Sequence, residues 1–168
     1  MNPFRYDVSL RIRHPNITPE EICKVLGMTA RHQWTAGASR KTPKGTPIKG
    51  TYDSTYCSFR LDHPTDMRLA DFLSQCNKRF RPYQEFFKKI RSTGGSLDYF
   101  VGWYSNASSG ELFSANLLSE LADLKIDLGL DVYVESNPLR NQSKKVRVAK
   151  KKSRTRKTKK KRMLTKKI

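Results

Sequence analysis

The sequence has few cysteines, and none of them is paired in a way that would suit a metal or a disulfide framework. Cys23, Cys57 and Cys76 are odd in number and far apart, and no C-x-x-C occurs in the chain. Such usage is typical of a protein that does not depend on disulfides. We predict free, mostly buried thiols in a reducing compartment.

Long apolar runs are also missing. No segment approaches the roughly 20 residues that a membrane helix needs. The first residues, M-N-P-F-R-Y-D-V, contain no apolar region of the kind found in secretory signals. We therefore expect a soluble, cytoplasmic protein with no membrane span.

Acidic residues are absent from the end of the chain. Residues 136–168 contain 16 Lys or Arg and no Asp or Glu, whereas residues 1–135 contain 18 basic and 15 acidic residues. A length of 168 residues suits one domain plus an appendage. We predict an α/β domain over residues 1–135 and a disordered Lys/Arg-rich tail over residues 136–168, because so polar a segment cannot bury enough apolar surface to fold.

The tail has the composition of a segment that binds polyanions. Dense Lys and Arg residues release counterions when they bind nucleic acid, and such phosphate contacts carry no sequence information. Attraction to an anionic membrane surface is a rival interpretation that the scarcity of aromatic residues weakens, and a solubilising tail without a partner is another. The residues predicted to bind nucleic acid or another polyanion are Lys144, Lys145, Arg147, Lys150, Lys151, Lys152, Arg154, Arg156, Lys157, Lys159, Lys160, Lys161 and Arg162.

Hydrophobic periodicity in the rest of the chain predicts alternating strands and helices. Ser96–Ser105 is the densest run of β-forming residues and is apolar on both alternating sets. This pattern is typical of a strand inside a sheet, and we predict that it is the central strand. The other predicted strands are residues 6–13, 31–35 with Trp34 inward, 52–62 and 126–134.

Local signals mark the ends of the helices. Thr18 and Glu21 have the spacing of a capping box around Pro19, and Gly27 suits the C-cap of the same helix. Pro82 should kink or restart the second helical stretch.

A second capping box, Ser108-x-x-Glu111, predicts the start of the last helix. Residues 36–50 are rich in Gly and Pro and are predicted to form a long loop. The element order predicts an α+β fold: a ferredoxin-like split βαβ order, β-α-β-β-α-β, extended by α-β. We expect one sheet with helices mainly on one face.

Side chains for enzymatic chemistry are sparse. His14, His32 and His63 have no second ligand at coordinating spacing, and no G-x-S-x-G motif occurs. We predict no catalytic residue, metal or cofactor.

One enzymatic alternative remains, in which the strand-to-helix loops and the last strand form a site. Asp127 and Asp131 would share a sheet face about 13 Å apart and could serve as an acid–base pair. Ion pairs with arginines on the sheet are the interpretation we favour.

If helices cover one face of the sheet, aromatic residues lie among arginines on the other. Such a face can stack bases, as in RRM domains, but a protein-interaction surface uses the same residue types and is the better fit. The residues concerned are Arg11, Arg13, Tyr56, Arg60, Phe100, Tyr104 and Tyr133.

The loops that precede two predicted helices are a further candidate, because free N–H groups at a helix N-terminus favour anions. These loops are residues 16–18 and 105–110. The alternative is that Thr18 and Ser108 serve only as helix caps. Combining loops and sheet, the candidate ligand or partner surface comprises Trp34, Arg40, Lys44, Phe100, Tyr104, Asn106 and Ser108.

Several motifs together resemble a bacterial family called domain of unknown function 4279. They are S-L-R-I-R-H-P-N-I-T-P-E-E-I at residues 9–22, L-G at 26–27, W-T-A-G at 34–37, T-P-K-G at 42–45, F-V-G-W-Y-S at 100–105 and D-L-G-L-D-V-Y at 127–133. The likeness covers residues 6–135 and excludes the tail. It implies a bacterial, cytoplasmic protein and brings no activity, cofactor or catalytic residue. Small α/β families of this kind sometimes supply immunity proteins, which is an analogy of fold only.

These observations favour a non-enzymatic binding module, such as an immunity-type protein-interaction domain with an unknown protein partner. Its polycationic tail would bind nucleic acid without sequence specificity. The alternative is a small enzyme or ligand-binding domain that uses the strand-to-helix loops and the Asp127/Asp131 face.

Overall fold

The structure, a computed structural model, describes residues 4–134 and has a mixed α+β fold. A five-stranded sheet has the order β2-β5-β1-β6-β7, and β3 and β4 form a separate two-stranded sheet. The elements are β1 (Arg5–His14), α1 (Pro19–Leu26), β2 (His32–Trp34), β3 (Ser39–Lys41), β4 (Pro47–Thr51), β5 (Thr55–Leu61), α2 (Leu69–Phe80), a 3-10 turn (Arg81–Tyr83), α3 (Gln84–Ser92), β6 (Ser96–Ser105), α4 (Ala115–Leu124) and β7 (Asp127–Val134). The predicted tail lies outside the described residues.

Strand β1 occupies the middle of the sheet and pairs antiparallel with β5 on one side and β6 on the other. The prediction that Ser96–Ser105 is the central strand is therefore wrong in one respect: β6 is interior, but it lies between β1 and β7. Tyr133 stacks on Tyr104, and Gly129 lies beside Tyr99. β7 consequently runs in the same direction as β6.

The core lies between one face of the sheet and the helices. Alternate residues of β1 and their cross-strand partners are buried, as Leu10 opposite Phe59 and Tyr99 illustrates. Helices α2, α3 and α4 supply the other side of the core through Leu73, Phe80, Phe87, Ile90, Leu117, Leu121 and Leu124. Within residues 4–134, no helix has the length and apolar character needed to cross a membrane.

The predicted signals around α1 and Pro82 are confirmed. Thr18 Oγ1 accepts from the Glu21 N–H while the Glu21 carboxylate accepts from the Thr18 N–H, and Gly27 ends the helix with a φ of 61°. Pro82 lies in the 3-10 turn that separates α2 from α3. The missing N–H of proline explains why the two helices do not continue as one.

The predicted capping box at Ser108 and Glu111 is wrong. Helix α4 begins later, and Ser114 is its N-cap, with Oγ accepting from the Leu117 N–H. The earlier segment is held by other contacts instead. The indole N–H of Trp103 donates to Ser109, and Glu111 forms an ion pair with Arg68, so the Glu111 carboxylate is not available for a helix cap.

The predicted long loop is a β-hairpin. β3 and β4 pair antiparallel, with an irregular register between Ser39 and Lys41. The turn closes where Thr42 N–H donates to Thr46 O, and Gly45 takes a φ of 85° that glycine adopts without strain. Every residue of both strands is exposed, so the apolar alternation that usually reveals a strand is missing.

His14 connects the end of β1 to the segment before α1 and is 3% exposed. Its Nδ1 accepts from the N–H groups of Asn16 and Ile17, at 3.0 and 2.8 Å. The ring proton therefore lies on Nε2, 2.7 Å from Thr93 Oγ1, and that hydroxyl donates to Lys89 O. Burial lowers the pKa of His14 from its ordinary 6.5.

Tyr99 places a phenol in the core without a hydrogen bond. The residue is fully buried, and its hydroxyl has no partner among the described residues. Burial raises the pKa of Tyr99 well above its ordinary value. Tyr6 differs, because its hydroxyl donates to Met67 O at 2.8 Å.

We expect Tyr99→Phe to raise the free energy of unfolding by about 1 kcal/mol, because it removes an unsatisfied buried hydroxyl without changing the ring. Tyr6→Phe is the matched control and should lower it by about 1 kcal/mol, since it removes a satisfied hydroxyl. Urea denaturation of the two variants measures both values. A loss of stability in Tyr99→Phe would show that the Tyr99 hydroxyl has a hydrogen-bond partner in the folded protein.

We expect the stability of the wild-type protein to fall on acidification through His14. The pKa of His14 in the folded state lies below its ordinary 6.5. The neutral ring therefore contributes fully to stability above the unfolded-state pKa, and this contribution is lost as the pH falls through the folded-state pKa. His14→Gln should be less stable at about pH 7.5 but lose less stability on going to about pH 5.5. His32→Gln, at an exposed position, should retain the wild-type difference in urea denaturation at the two pH values.

Candidate functional site

The face of the sheet opposite the helices is the open face, and it carries the residues predicted for it. Cross-strand register places Arg11 opposite Ser58 and Asp98, and Arg13 opposite Tyr56, on the side away from the core. Tyr104 is on the same side because it is paired with Arg5. Tyr133 is on this side too, because its ring stacks on that of Tyr104. The open-face residues include Arg5, Asp7, Ser9, Arg11, Arg13, Tyr56, Ser58, Arg60, Asp98, Phe100, Tyr104 and Tyr133.

Guanidinium groups of β1 lie over the aromatic rings of this face. Arg11 is 4.0 Å from the ring centre of Phe100, and Arg5 is 4.1 Å from that of Tyr104. Arg13 lies 5.0 Å from the Tyr56 ring. A base could stack on these rings only by displacing or sandwiching an arginine, so the middle of the open face is poorly suited to RRM-like base binding.

Carboxylates neutralise much of the charge on the open face. Asp98 binds Arg11 through Nε at 2.8 Å and through the terminal amino group at 2.7 Å, and it also lies 3.4 Å from Arg13. The Asp98 side chain is only 13% exposed. Asp7 lies within ion-pair distance of Arg5 and Arg60. These carboxylates therefore serve as partners of arginines within the sheet.

Trp34 lies on the open face, so the prediction that it points inward is wrong. It is opposite Tyr56 in the register of β2 and β5, and alternation puts the adjacent Gln33 on the core side opposite Cys57. The Trp34 ring stacks on Tyr56 and on Tyr52, with centroids 4.2 and 4.9 Å apart. We call Trp34, Tyr52 and Tyr56 the aromatic ladder.

A groove of about 980 Å³ lies between β2 and the β3–β4 hairpin, and the aromatic ladder forms part of its wall. We call it the hairpin groove. Its basic lining residues are Arg31, His32, Arg40 and Lys41, and its described lining contains no Asp or Glu. Tyr52 also braces the hairpin, because its hydroxyl accepts from Lys41 N–H and donates to Lys41 O.

The structure brings together only some of the predicted surface residues. Trp34 and Arg40 line the hairpin groove, and Lys44 lies in the turn between β3 and β4. Sequence reasoning missed Tyr52, Arg31 and Lys41. The signal for them in the sequence was the adjacent basic pair Arg40-Lys41, which lies between the aromatic residues Trp34 and Tyr52.

The two loops that were predicted as candidate anion sites lie at opposite ends of the sheet. Residues 16–18 follow the end of β1, whereas residues 105–110 follow the end of β6, and these strands are antiparallel. Asn106 and Ser108 are therefore at the Arg5 end, far from Trp34, which is near the His14 end. The candidate surface that the sequence suggests is therefore divided between the two ends of the sheet.

Asp127 and Asp131, the candidate acid–base pair, each contact a different partner within the described residues. Asp127 lies 2.6 Å from Arg91 of α3. Asp131 accepts a hydrogen bond from Tyr133, and this bond raises the pKa of the Tyr133 hydroxyl. The two carboxylates therefore serve as partners of nearby side chains, Asp127 of Arg91 and Asp131 of Tyr133.

No hydrogen bond joins a cysteine to a histidine in the described part of the chain. Cys57 and Cys76 are buried and reduced, and burial raises the pKa of each thiol to about 12, which disfavours the reactive thiolate. No group of three potential metal ligands occurs among residues 4–134. His63 stacks on Tyr6, and its ring nitrogens contact the carbonyl oxygens of Pro64 and Tyr6.

Comparison with known families places most of the chain in a described family. Residues 3–135 match the family described as Domain of unknown function (DUF4279). The chain has no match among curated proteins or solved structures. The match covers the whole described domain and leaves the basic tail outside.

We expect Asp98→Asn to lower the free energy of unfolding by about 1–3 kcal/mol, because Arg11 would lose its charged hydrogen-bond partner in a half-buried setting. Asp62→Asn is the matched control. Its pair with Arg60 involves a carboxylate that is 88% exposed, so its loss should cost less than about 1 kcal/mol. Urea denaturation at low ionic strength measures both, and equal losses would contradict the special role of Asp98.

Proposed function

We propose that this chain, which belongs to the family described as Domain of unknown function (DUF4279), is a non-enzymatic binding module whose polycationic tail binds nucleic acid without sequence specificity. The composition of the tail carries this proposal. Residues 136–168 contain 16 Lys or Arg and no acidic residue. A segment of this charge gains free energy from counterion release on any dense polyanion.

The open face supports a separate role for the folded domain, as a surface for a protein partner. Aromatic residues and arginines are enriched at protein interfaces, and Phe100 and Tyr104 lie among arginines there. An immunity-type interaction in a bacterial cytoplasm is the setting that we propose. We also infer a ferredoxin-like split βαβ core, supported by the order β2-β5-β1-β6 with antiparallel neighbours.

The tail is tested by replacing its predicted nucleic-acid-binding Lys and Arg residues with Gln in the full chain. The wild-type protein should bind duplex DNA and lose roughly a thousandfold in affinity between about 50 and 200 mM salt, because each neutralised phosphate adds to the salt dependence. The variant should bind far more weakly with a shallow salt slope. Fluorescence anisotropy with two unrelated duplexes measures affinity and specificity together.

Lys78→Gln/Lys89→Gln is the matched control, because both residues are exposed on helices of the domain. This variant should retain wild-type binding. Equal affinity of the tail variant and the wild-type protein would refute the role of the tail. A strong preference between the two duplexes would refute the absence of specificity.

A further inference from the structure

We propose that the hairpin groove binds single-stranded nucleic acid, with unpaired bases against the aromatic ladder and phosphates at Arg31, Arg40 and Lys41. This inference rests on the proposed function in that nucleic acid is the partner, but it requires nothing from the tail. It gives the folded domain a preference for unpaired strands, which the tail alone cannot supply because phosphate contacts do not read base pairing.

Unpaired positive charge is the first argument. Arginines 5, 11, 13 and 60 on the open face all have carboxylate partners. In contrast, none of the ion pairs among residues 4–134 involves Arg31, Arg40 or Lys41. All three side chains are exposed and line the same groove, and its described lining has no acidic residue. The groove therefore favours an anionic ligand.

The aromatic ladder is the second argument, because it distinguishes nucleic acid from other anions. Trp34 stacks on both tyrosines with interplanar angles of 16° and 22°. Nearly parallel rings beside basic side chains are how proteins hold unpaired bases, since every base has a flat face that can extend the stack. The stack can be extended at Tyr52, because Arg13 lies over the Tyr56 ring at the other end of the ladder. A duplex hides those faces between its base pairs, so it can use only the charges.

The dimensions of the groove are the third argument. A volume of about 980 Å³ is at the upper end of small-molecule sites, which usually enclose most of the ligand surface. The hairpin groove is instead walled by exposed hairpin strands and carries several basic groups. These features suit a chain that lies across the groove with successive phosphates near Arg31, Arg40 and Lys41.

Trp34 also provides a direct readout of binding. The chain has only two tryptophans, and Trp103 is 6% exposed with its N–H bonded to Ser109. Ligand-dependent quenching of the full chain should therefore report on Trp34. We expect quenching by an oligothymidylate of roughly twelve nucleotides, and at least roughly 10-fold weaker quenching by a duplex of the same length. Poly-L-glutamate should quench no better than the duplex.

Variants then assign the residues, in a full chain whose tail carries the Gln substitutions described above so that tail binding does not contribute. Trp34→Ala should weaken oligothymidylate binding by roughly 10-fold in fluorescence anisotropy. Trp34→Phe should keep most of the affinity while losing the tryptophan quenching. Arg40→Gln/Lys41→Gln, at exposed positions, should weaken binding and reduce the logarithmic salt slope by about 1.4, because two phosphate contacts are lost.

Lys78→Gln/Lys89→Gln again serves as the matched control and should bind like the parent. Absence of Trp34 quenching in the wild-type chain would overturn the proposal. So would unchanged affinity in both Trp34→Ala and Arg40→Gln/Lys41→Gln. Equal quenching by the duplex or by poly-L-glutamate would also overturn it, and would assign the groove to duplexes or to acidic chains. Failure here leaves the tail result intact, because the tail is tested on duplex DNA with the wild-type groove.

Discussion

The antiparallel pairing of β1 with both β5 and β6 is the constraint on which the rest of the structure depends. It places one alternating set of β1, including Leu10 and Ile12 at 0% exposure, against the helices. The same register puts the other set, with Arg11 and Arg13, on the open face. A shift by one residue would exchange the two sets, so the burial of the core also fixes the chemistry of the opposite surface.

Charge is distributed over the open face in two different ways. In the middle of the sheet, arginines have carboxylate partners and pack on aromatic rings, as Arg11 does with Asp98 and Phe100. At the hairpin groove, Arg31, Arg40 and Lys41 have no such partner among the described residues. The centre of the sheet is therefore internally satisfied, whereas its edge keeps the capacity to bind an anion.

Features that depend on residues a few positions apart were predicted correctly from the sequence. The Thr18–Glu21 box, the Gly27 cap and the break at Pro82 depend only on near neighbours, and the structure confirms them. The box at Ser108 failed because Glu111 pairs with Arg68, 43 positions away. The β3–β4 hairpin was missed because its exposed strands lack apolar alternation.

The sequence by itself determined the α+β composition, the caps of α1, the buried faces of β1, β5 and β6, and the concentration of charge after position 135. These properties follow from local conformational preference and from the period of apolar residues. Only the tertiary structure decided that Arg11 meets Asp98, 87 positions away, and that Trp34 stacks on Tyr52 and Tyr56. Such contacts are set by strand order and register, which arise when distant segments pack together and which no local pattern encodes.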